Sequence, residues 1–220
     1  MQKFDTTTPI TAVLDIPAGR VQLIAADRTD TVVEVRPATP SKSRDVRTAE
    51  QTTVTHADGV LRIRTGEAEN ALLGSGAIEV TIQLPAGSRI EARTDACELR
   101  GVGRLGDVDF QGAYRHIKID EAASVRLAAV DGDIEIGRLT GPGRIDTSRG
   151  DIRIAEAVCG TLTLHSEAGD ITVVAAARTS ASLDAGTAHG RITNALRNDG
   201  TTDLDIRATT NHGDITARSL

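Results

Sequence analysis

The sequence has few aromatic side chains. Tryptophan is absent, and the aromatic residues are Phe4, Phe110 and Tyr114. Hydrophobic residues still make up 39% of the chain, so the core must be built from isoleucine, leucine, valine and alanine. Single-stranded nucleic acids need aromatic platforms on which bases stack, and a formal net charge of −6 repels phosphate backbones. We therefore expect no nucleic-acid partner.

Cysteine is also scarce. The two cysteines, Cys97 and Cys159, match no zinc-binding spacing. In a stack of repeats they would lie about three rungs apart, or roughly 14 Å at ~4.8 Å per rung. A disulfide tolerates only ~7 Å between Cα atoms. We therefore expect no disulfide, and two small buried hydrophobic residues instead.

Long hydrophobic segments are missing as well. The chain has no run of about 18 apolar residues, which is the length of a membrane-spanning helix. Its first residues, Met1 to Thr6, contain no apolar leader segment. The sequence predicts no membrane insertion and a cytoplasmic location. The alternative is the cell surface, reached by an unrecognised route.

A repeated turn dominates the second half of the chain. Six turns each deliver an isoleucine into a short strand, and these isoleucines lie 17 to 23 residues apart. Five of the turns are Asp131-Gly132-Asp133-Ile134, Arg149-Gly150-Asp151-Ile152, Ala168-Gly169-Asp170-Ile171, His189-Gly190-Arg191-Ile192 and His212-Gly213-Asp214-Ile215, and a degenerate copy is Tyr114-Arg115-His116-Ile117. A period near 20 residues predicts stacked strand-turn units.

Each repeat holds two short strands in which apolar residues flank a polar one. This alternation places the apolar residues inward and the polar one outward. Successive coils should pair in parallel, so that the isoleucines form one column and the outward residues form ladders. The predicted ladders are Lys118, Glu135 and Arg153 followed by Thr172, Thr193 and Thr216 on one face, and Asp109, Arg126 and Asp146 on the other.

The first 90 residues contain strands with longer loops. Residues 37–51 are predicted to be a loop, Ala57-Asp58-Gly59 a hairpin turn, and Pro17-Ala18-Gly19 and Pro85-Ala86-Gly87 turns between strands. A second loop should cover Gly66 to Gly76. We predict an all-β fold: a β-solenoid or β-helix-like stack of two-stranded coils over residues 91–220, with a more irregular β region over residues 1–90. The two parts should form one continuous domain, and a β-sandwich is the alternative.

Three features resemble a known bacterial family of β-strand-repeat domains. They are the Leu84-Pro85-Ala86-Gly87 strand exit, the following Thr94-Asp95-Ala96-Cys97-Glu98-Leu99 and the repeated Gly-Asp-Ile turns. The family carries the label "putative adhesin" and has no established function. The resemblance covers most of the chain from about Val13 onwards, and it implies an all-β, solenoid-like domain. It brings no catalytic residues.

The turn aspartates Asp133, Asp151, Asp170 and Asp214 occupy equivalent positions, with Arg191 in the remaining copy. Stacked carboxylates about 5 Å apart could attract Ca²⁺. The simpler interpretation, which we favour, is that each carboxylate accepts a local backbone N–H in its tight turn.

The histidines His189 and His212 both precede a turn glycine, so they could stack on adjacent coils. Such a pair could hold a transition metal or sense pH. Because no third ligand lies at a clear spacing, we favour a solvated pair of turn residues, and we expect no metal and no cofactor.

Nucleophilic catalysis finds no support, since no Gly-x-Ser-x-Gly elbow or phosphate-binding loop leads from a strand into a helix. We predict a non-enzymatic scaffold or interaction module. A cell-surface adhesin is one alternative, and a polysaccharide-modifying β-helix enzyme is a second. The partner should be another protein or a second copy, paired at the edge of the C-terminal strand Ile215-Thr216-Ala217, because unpaired strand edges invite pairing.

Overall fold

The computed structural model describes residues 1–66, 76–112 and 116–220. Strands hold 69% of these residues and helix 4%, so the all-β prediction is confirmed. The chain forms two compact units, Met1–Arg115 and His116–Leu220, which are described separately. The division into residues 1–90 and 91–220 stays a prediction. Most of the predicted loop from Gly66 to Gly76, and Tyr114 of the degenerate turn, lie outside the described residues.

The first unit contains seven described strands and one helix. They are β1 (Gln2–Asp5), β2 (Thr11–Ala26), β3 (Asp30–Pro37), α1 (Ser43–Gln51), β4 (Thr53–Ala57), β5 (Val60–Arg64), β6 (Ile78–Pro85) and β7 (Arg89–Gln111). Strand β2 is central: it pairs in parallel with β7 along most of its length, with β5 through residues 11–15 and with β6 through residues 19–26. Antiparallel pairs β1–β3, β3–β6 and β4–β5 complete the unit.

Two predicted turns of this unit have different outcomes. The hairpin turn between β4 and β5 is confirmed, with Asp58 and Gly59 at φ of 49° and 72°. At Pro17-Ala18-Gly19 the prediction of a turn that separates two strands is wrong, because β2 runs through it. The segment is instead a corner at which β2 leaves β5 and meets β6. Gly19 is required there, since an added Cβ would lie 1.8 Å from the carbonyl oxygen of Ile78.

The loop predicted over residues 37–51 is also corrected, because it contains the helix α1. Its buried residues are polar, Asp45 and Thr48. Oδ1 of Asp45 accepts the backbone N–H of Ala77 at 3.0 Å, and Oγ1 of Thr48 accepts that of Gly76 at 2.9 Å. Because hydrogen bonds and not apolar side chains hold this helix, it has no apolar residues at helical spacing. Hydrophobic spacing therefore did not predict it.

The second unit contains ten strands. They are β8 (Ile117–Asp131), β9 (Ile134–Leu139), β10 (Gly143–Arg149), β11 (Ile152–Ala157), β12 (Gly160–Ala168), β13 (Ile171–Ala175), β14 (Ala181–His189), β15 (Ile192–Ala195), β16 (Leu204–His212) and β17 (Ile215–Ser219). We call each coil a rung: rung 1 is residues 125–139, and rungs 2 to 5 are β10–β11, β12–β13, β14–β15 and β16–β17.

All pairings in this unit are parallel, as predicted, and they form two sheets. One sheet runs β8, β9, β11, β13, β17, β15, through residues 117–122 of β8. The other runs β8, β10, β12, β16, β14, through residues 125–131 of β8. Rung 5 therefore lies between rungs 3 and 4. The last coil of the chain is inside the stack, and rung 4 ends it.

The isoleucine column is confirmed in this spatial order. The register pairs Ile117, Ile134, Ile152, Ile171 and Ile215 in succession, and each is at most 1% exposed. Full burial of such a side chain stabilises the fold by about 1.5–3 kcal/mol. The column ends at Ile192, which pairs with Ile215 but is 46% exposed because no rung covers its outer side.

The cysteine prediction holds in part. Cys97 is buried as expected, but Cys159 is exposed. Cys159 lies in the corner before β12, where its thiol contacts the carbonyl oxygen of Thr140 at 3.1 Å. A corner position of this kind does not follow the inward-outward alternation of the strands. Within the described ranges, no helix has the length and hydrophobicity that a bilayer crossing requires.

A partly buried ion cluster ties the first strand of the chain to its unit. Asp30, at the start of β3, contacts Lys3 of β1 at 3.0 Å and Nε of Arg28 at 2.7 Å. The hydrogen bonds from Arg28 and then Lys3 lower the pKa of Asp30 from 3.8 to about 2. Because the pKa is lower in the folded chain, the stabilisation is present above pH 3.8 and is lost as the pH falls towards about 2.

We expect Asp30→Asn to lower the free energy of unfolding at neutral pH, and this deficit to shrink as the pH falls from 3.8 towards about 2. Urea unfolding of both proteins at a series of pH values measures this difference in the free energy of unfolding. Asp58→Asn is the control, since Asp58 takes part in no ion pair among the described residues. A deficit that stays constant down to the lowest pH would contradict the assignment.

Candidate functional site

The turns between the two sheets stack on one another through a chain of hydrogen bonds, which we call the turn ladder: Asp133, Asp151, Asp170, Asp214 and Arg191. Oδ1 of Asp133 accepts the backbone N–H of Asp151 at 2.9 Å, and Oδ1 of Asp151 accepts that of Asp170 at 2.8 Å. Asp170 then accepts the N–H of Asp214 at 2.8 Å, and Asp214 that of Arg191 at 2.9 Å. Each carboxylate therefore binds the next rung, whereas the sequence suggested a bond within its own turn.

Arg191 interrupts the series of turn aspartates along the sequence, but in space it lies at the end of the ladder. Its guanidinium contacts Oδ2 of Asp214 at 3.1 Å. The backbone N–H and then the guanidinium of Arg191 lower the pKa of Asp214 below its ordinary value. A rung with no successor has no further N–H to accept, so this position needs no carboxylate.

Glycine precedes each ladder residue because the turns pack backbone against backbone. A Cβ on Gly169 would lie 2.0 Å from the carbonyl oxygen of Gly150, and Gly169 also has a φ of +156°. Only glycine fits this approach at a positive φ.

A second ladder, of hydroxyl groups, was missed in the sequence. Ser166, Thr210 and Thr187 each lie three residues before a turn glycine. Their hydroxyls donate to the glycine carbonyl oxygen of the adjacent rung, at 3.2 Å to Gly150, 3.0 Å to Gly169 and 3.0 Å to Gly213. The sequence pattern that could have predicted this ladder is the Ser or Thr that recurs three residues before a turn glycine.

The two turn histidines do stack, as predicted. The rings of His189 and His212 lie 4.8 Å apart between centroids at an interplanar angle of 20°. Their strands, β14 and β16, are neighbours in the sheet. No group of three His, Cys, Asp or Glu side chains suited to a metal ion exists in the part of the chain that the structure describes. The metal-site assignments of Asp133, Asp151, Asp170, Asp214 and of the histidine pair stay predictions.

One of the two predicted charge ladders forms. Lys118, Glu135 and Arg153 are paired in register, with the ammonium of Lys118 at 2.7 Å from Oε2 of Glu135. The hydrogen bond from Lys118 is the main cause that lowers the pKa of Glu135. The threonines continue this column in the order Thr172, Thr216, Thr193.

The other predicted charge ladder, of Asp109, Arg126 and Asp146, is wrong because the register between β8 and β10 differs from the prediction by two residues. Arg126 pairs with Arg144, not with Asp146. The inward position of β10 that faces Val125 is Gly143, where an added Cβ would meet Leu139 at 2.9 Å. Because a glycine in an inward position carries no apolar side chain, the apolar pattern of the sequence aligned Val125 with Ile145 and not with Gly143.

The exposed end of the stack is rung 4, which we call the terminal rung. In the described residues, β14 pairs only with β16 and β15 only with β17. The inward residues Leu183 and Ala185 of β14 are only half-buried, and Ile192 of β15 is 46% exposed. The terminal rung thus presents strand edges that no further strand pairs in the described residues, beside the uncovered end of an aliphatic core. At the start of β14, Ala181 is hydrogen-bonded to Arg197 and Asn198.

The direction of the hydrogen bonds shows which backbone groups of β14 are unpaired. The N–H of Leu204 in β16 donates to the carbonyl of Ser180, just before β14, at 3.2 Å, whereas the N–H of Ala181 points to the other side and donates to the carbonyl of Arg197 at 2.9 Å. In a parallel strand the bonding direction alternates from residue to residue. The N–H and C=O of Leu183 and Ala185 therefore point away from β16, and both residues are half-buried.

The predicted edge at the C-terminal strand is wrong. Strand β17 pairs with β13 on one side and β15 on the other, because rung 5 inserts between rungs 3 and 4. The edge belongs instead to β14 and β15 of rung 4. Two signals in the sequence pointed there: among the five regular turns Arg191 replaces the aspartate only in this repeat, and the polar stretch of residues 197–203 follows it.

A family model agrees with the resemblance noted in the sequence. The model described as Toastrack DUF4097 matches residues 11–218, nearly the whole chain. No curated protein matches.

Solved structures of low identity match over their full length. A "putative adhesin" from Bacteroides fragilis NCTC 9343 is 12% identical, with 98% of this chain and 95% of that chain covered and a TM-score of 0.49. A "putative cell adhesion protein" from Clostridium sporogenes ATCC 15579 is 11% identical, with 100% and 99% covered and a TM-score of 0.38. A "putative adhesin" from Parabacteroides distasonis ATCC 8503 is 13% identical, with 98% and 95% covered and a TM-score of 0.35.

The close stacking of the turns predicts a large cost for a side chain at Gly169. We expect Gly169→Ala to lower the free energy of unfolding by about 3 kcal/mol or more, because crowding adds to the strain of a positive φ. Gly200→Ala is the matched control, since Gly200 has a φ of +101° but no atom within 4 Å of an added Cβ. It should cost only about 1–2 kcal/mol. Urea unfolding compares the two, and equal losses would show that the turns do not pack as described.

Proposed function

The chain belongs to the Toastrack DUF4097 family, and from that premise we propose that it is a non-enzymatic interaction module that binds an extended protein segment at the edge of its terminal rung. The observation that carries the proposal is the pair of open strands β14 and β15. Each is paired on one side only, in the described residues, and lies beside half-buried apolar residues.

An open edge is a specific binding surface because its backbone groups are already fixed in space. A partner strand gains main-chain hydrogen bonds to the outward groups of Leu183 and Ala185, while its alternate side chains cover the side chains of Leu183 and Ile192. The rungs behind the edge already hold its strands in place, so little conformational entropy is lost on binding. Other proteins protect such edges with prolines, lysines or covering loops. Residues 182–189 contain neither proline nor lysine, and the chain's own Arg197 and Asn198 bond the edge at its first residue, Ala181.

The repeated titratable residues support a structural role and not a catalytic one. The turn aspartates each accept a backbone N–H from the next rung. Lys118 and Glu135 neutralise one another on the sheet face at 2.7 Å. These side chains hold neighbouring rungs in register, so the repeat itself explains their spacing.

The location of the chain stays a prediction. The prediction is the cytoplasm, with the cell surface as the alternative. Fractionation of the source cells, followed by detection of the chain in each fraction, decides between them.

The edge predicts a site-specific effect of proline. Ala185→Pro removes an N–H that points away from the stack, so it should leave the fold intact and block partner pairing. We propose placing a photo-crosslinking amino acid at Thr193, beside the edge, and illuminating source cells that express the chain. Adducts should form with the natural Ala185 and with the control Ala185→Ser, which keeps the N–H, and should fall at least about tenfold with Ala185→Pro.

A crosslinker at Val130, which is also exposed but lies in rung 1, provides the background. The proposal fails if the Thr193 position gives no more adduct than Val130, or if Ala185→Pro leaves the adducts unchanged while the thermal midpoint is preserved. The mass of each adduct also reports whether the bound protein is a copy of this chain.

A further inference from the structure

We propose that the occupant of the terminal rung is a second copy of this chain, bound end to end through a two-fold contact of β14 and β15. The inference rests on the proposed function, since it names the partner of the same edge. It draws on three properties of the terminal rung: the chemistry of its core end, the direction of its strands and the signs of its charges.

The uncovered end of the aliphatic core in the terminal rung is complementary to the same surface of a second copy. Inside the stack, the surface that covers an isoleucine rung is another isoleucine rung, as between Ile171 and Ile215. Ile192 continues this column and is 46% exposed, and Leu183 and Ala185 are half-buried on the facing strand. A second terminal rung presents the same aliphatic surface. An identical copy would therefore place the chemistry of an internal junction over Ile192 and shield it from water.

The strand directions permit such a contact. Strands β14 and β15 lie in different sheets and run in opposite directions, because a single turn at Gly190 joins them. A two-fold axis parallel to the strands places β14 of one copy against β15 of the other in antiparallel orientation. Both open edges are then paired at once, and the interface closes as a dimer without leaving a further free end.

The charges of the edge also suit an identical partner. Strand β14 carries one acidic residue, Asp184, and β15 is flanked by Arg191 and Arg197. Each arginine also contacts an aspartate of its own copy, Asp214 at 3.1 Å and Asp199 at 3.7 Å. In the two-fold arrangement the acidic strand of each copy faces the strand flanked by arginines. Like charges therefore do not oppose one another across the contact, and rim charges of opposite sign speed association.

The contact predicts a concentration-dependent dimer that a charge at Ile192 disrupts. We expect sedimentation velocity of the purified full chain to show a monomer–dimer equilibrium. Ile192→Lys should raise the dimer dissociation constant at least about tenfold, because it would bury an unpaired ammonium. Val130→Lys is the matched control: Val130 is 43% exposed against 46% for Ile192, but it lies away from the edge. Its dissociation constant should equal that of the wild type.

Ala185→Pro gives a second measurement, which tests the main-chain contact. It removes one outward main-chain donor of β14 and should also raise the dissociation constant, whereas Ala185→Ser should not. Thermal unfolding of every variant verifies that the terminal rung stays folded. A wild-type chain that sediments as a monomer at the highest concentration overturns the inference, as do equal effects of Ile192→Lys and Val130→Lys.

The two proposals fail in different ways. If the wild type is monomeric, yet Ala185→Pro abolishes in-cell crosslinking from Thr193 to a different protein, the edge is a binding site and only its occupant is misidentified. If Ala185→Pro changes neither crosslinking nor sedimentation, the edge itself is not used, and both proposals are overturned.

Discussion

The structure of the second unit depends on one close contact: the turn of each rung lies directly against the turn of the next. At Gly169 a single added carbon atom would lie 2.0 Å from the neighbouring carbonyl oxygen, so no other residue fits without moving the rungs apart. The same approach brings a carboxylate oxygen within 2.8 Å of the next backbone N–H, as between Asp170 and Asp214. Turn spacing fixes strand register, and strand register aligns the isoleucines.

This constraint also explains why the stack has a distinct end. Each aspartate serves the rung that follows it in space, so the last rung is the one that can replace aspartate by Arg191. That rung is fourth along the chain because the fifth inserts beneath it. The open edge, the exposed Ile192 and the half-buried Leu183 are thus consequences of one rearrangement in rung order, and the proposed partner contact follows from them.

Much of the fold could be predicted from the sequence, because the repeat encodes local geometry. The glycine turns, the parallel pairing and the isoleucine column all follow from spacing and alternation. Rung order does not, since rungs 4 and 5 have the same spacing and either could stack on Ile171; only Arg191 and the polar stretch of residues 197–203 distinguish them. The helix at Ser43–Gln51 was missed because hydrogen bonds dock it, and the slip at Arg126 arose because a glycine occupies an inward position. The open edge was predicted at β17 and not at rung 4, because its location depends on which rung is last in space.

The order of the rungs is tested most directly by engineered disulfides in a chain whose two native cysteines are replaced by serine. Thr172 and Thr216 face one another on adjacent strands, at ~4.8 Å between strands, and a disulfide tolerates ~7 Å between Cα atoms. Thr172 and Thr193 are separated by the intervening β17. Oxidation should link Thr172→Cys to Thr216→Cys and leave Thr172→Cys with Thr193→Cys reduced, as read by peptide mass spectrometry. Linkage of the second pair without the first would contradict the account.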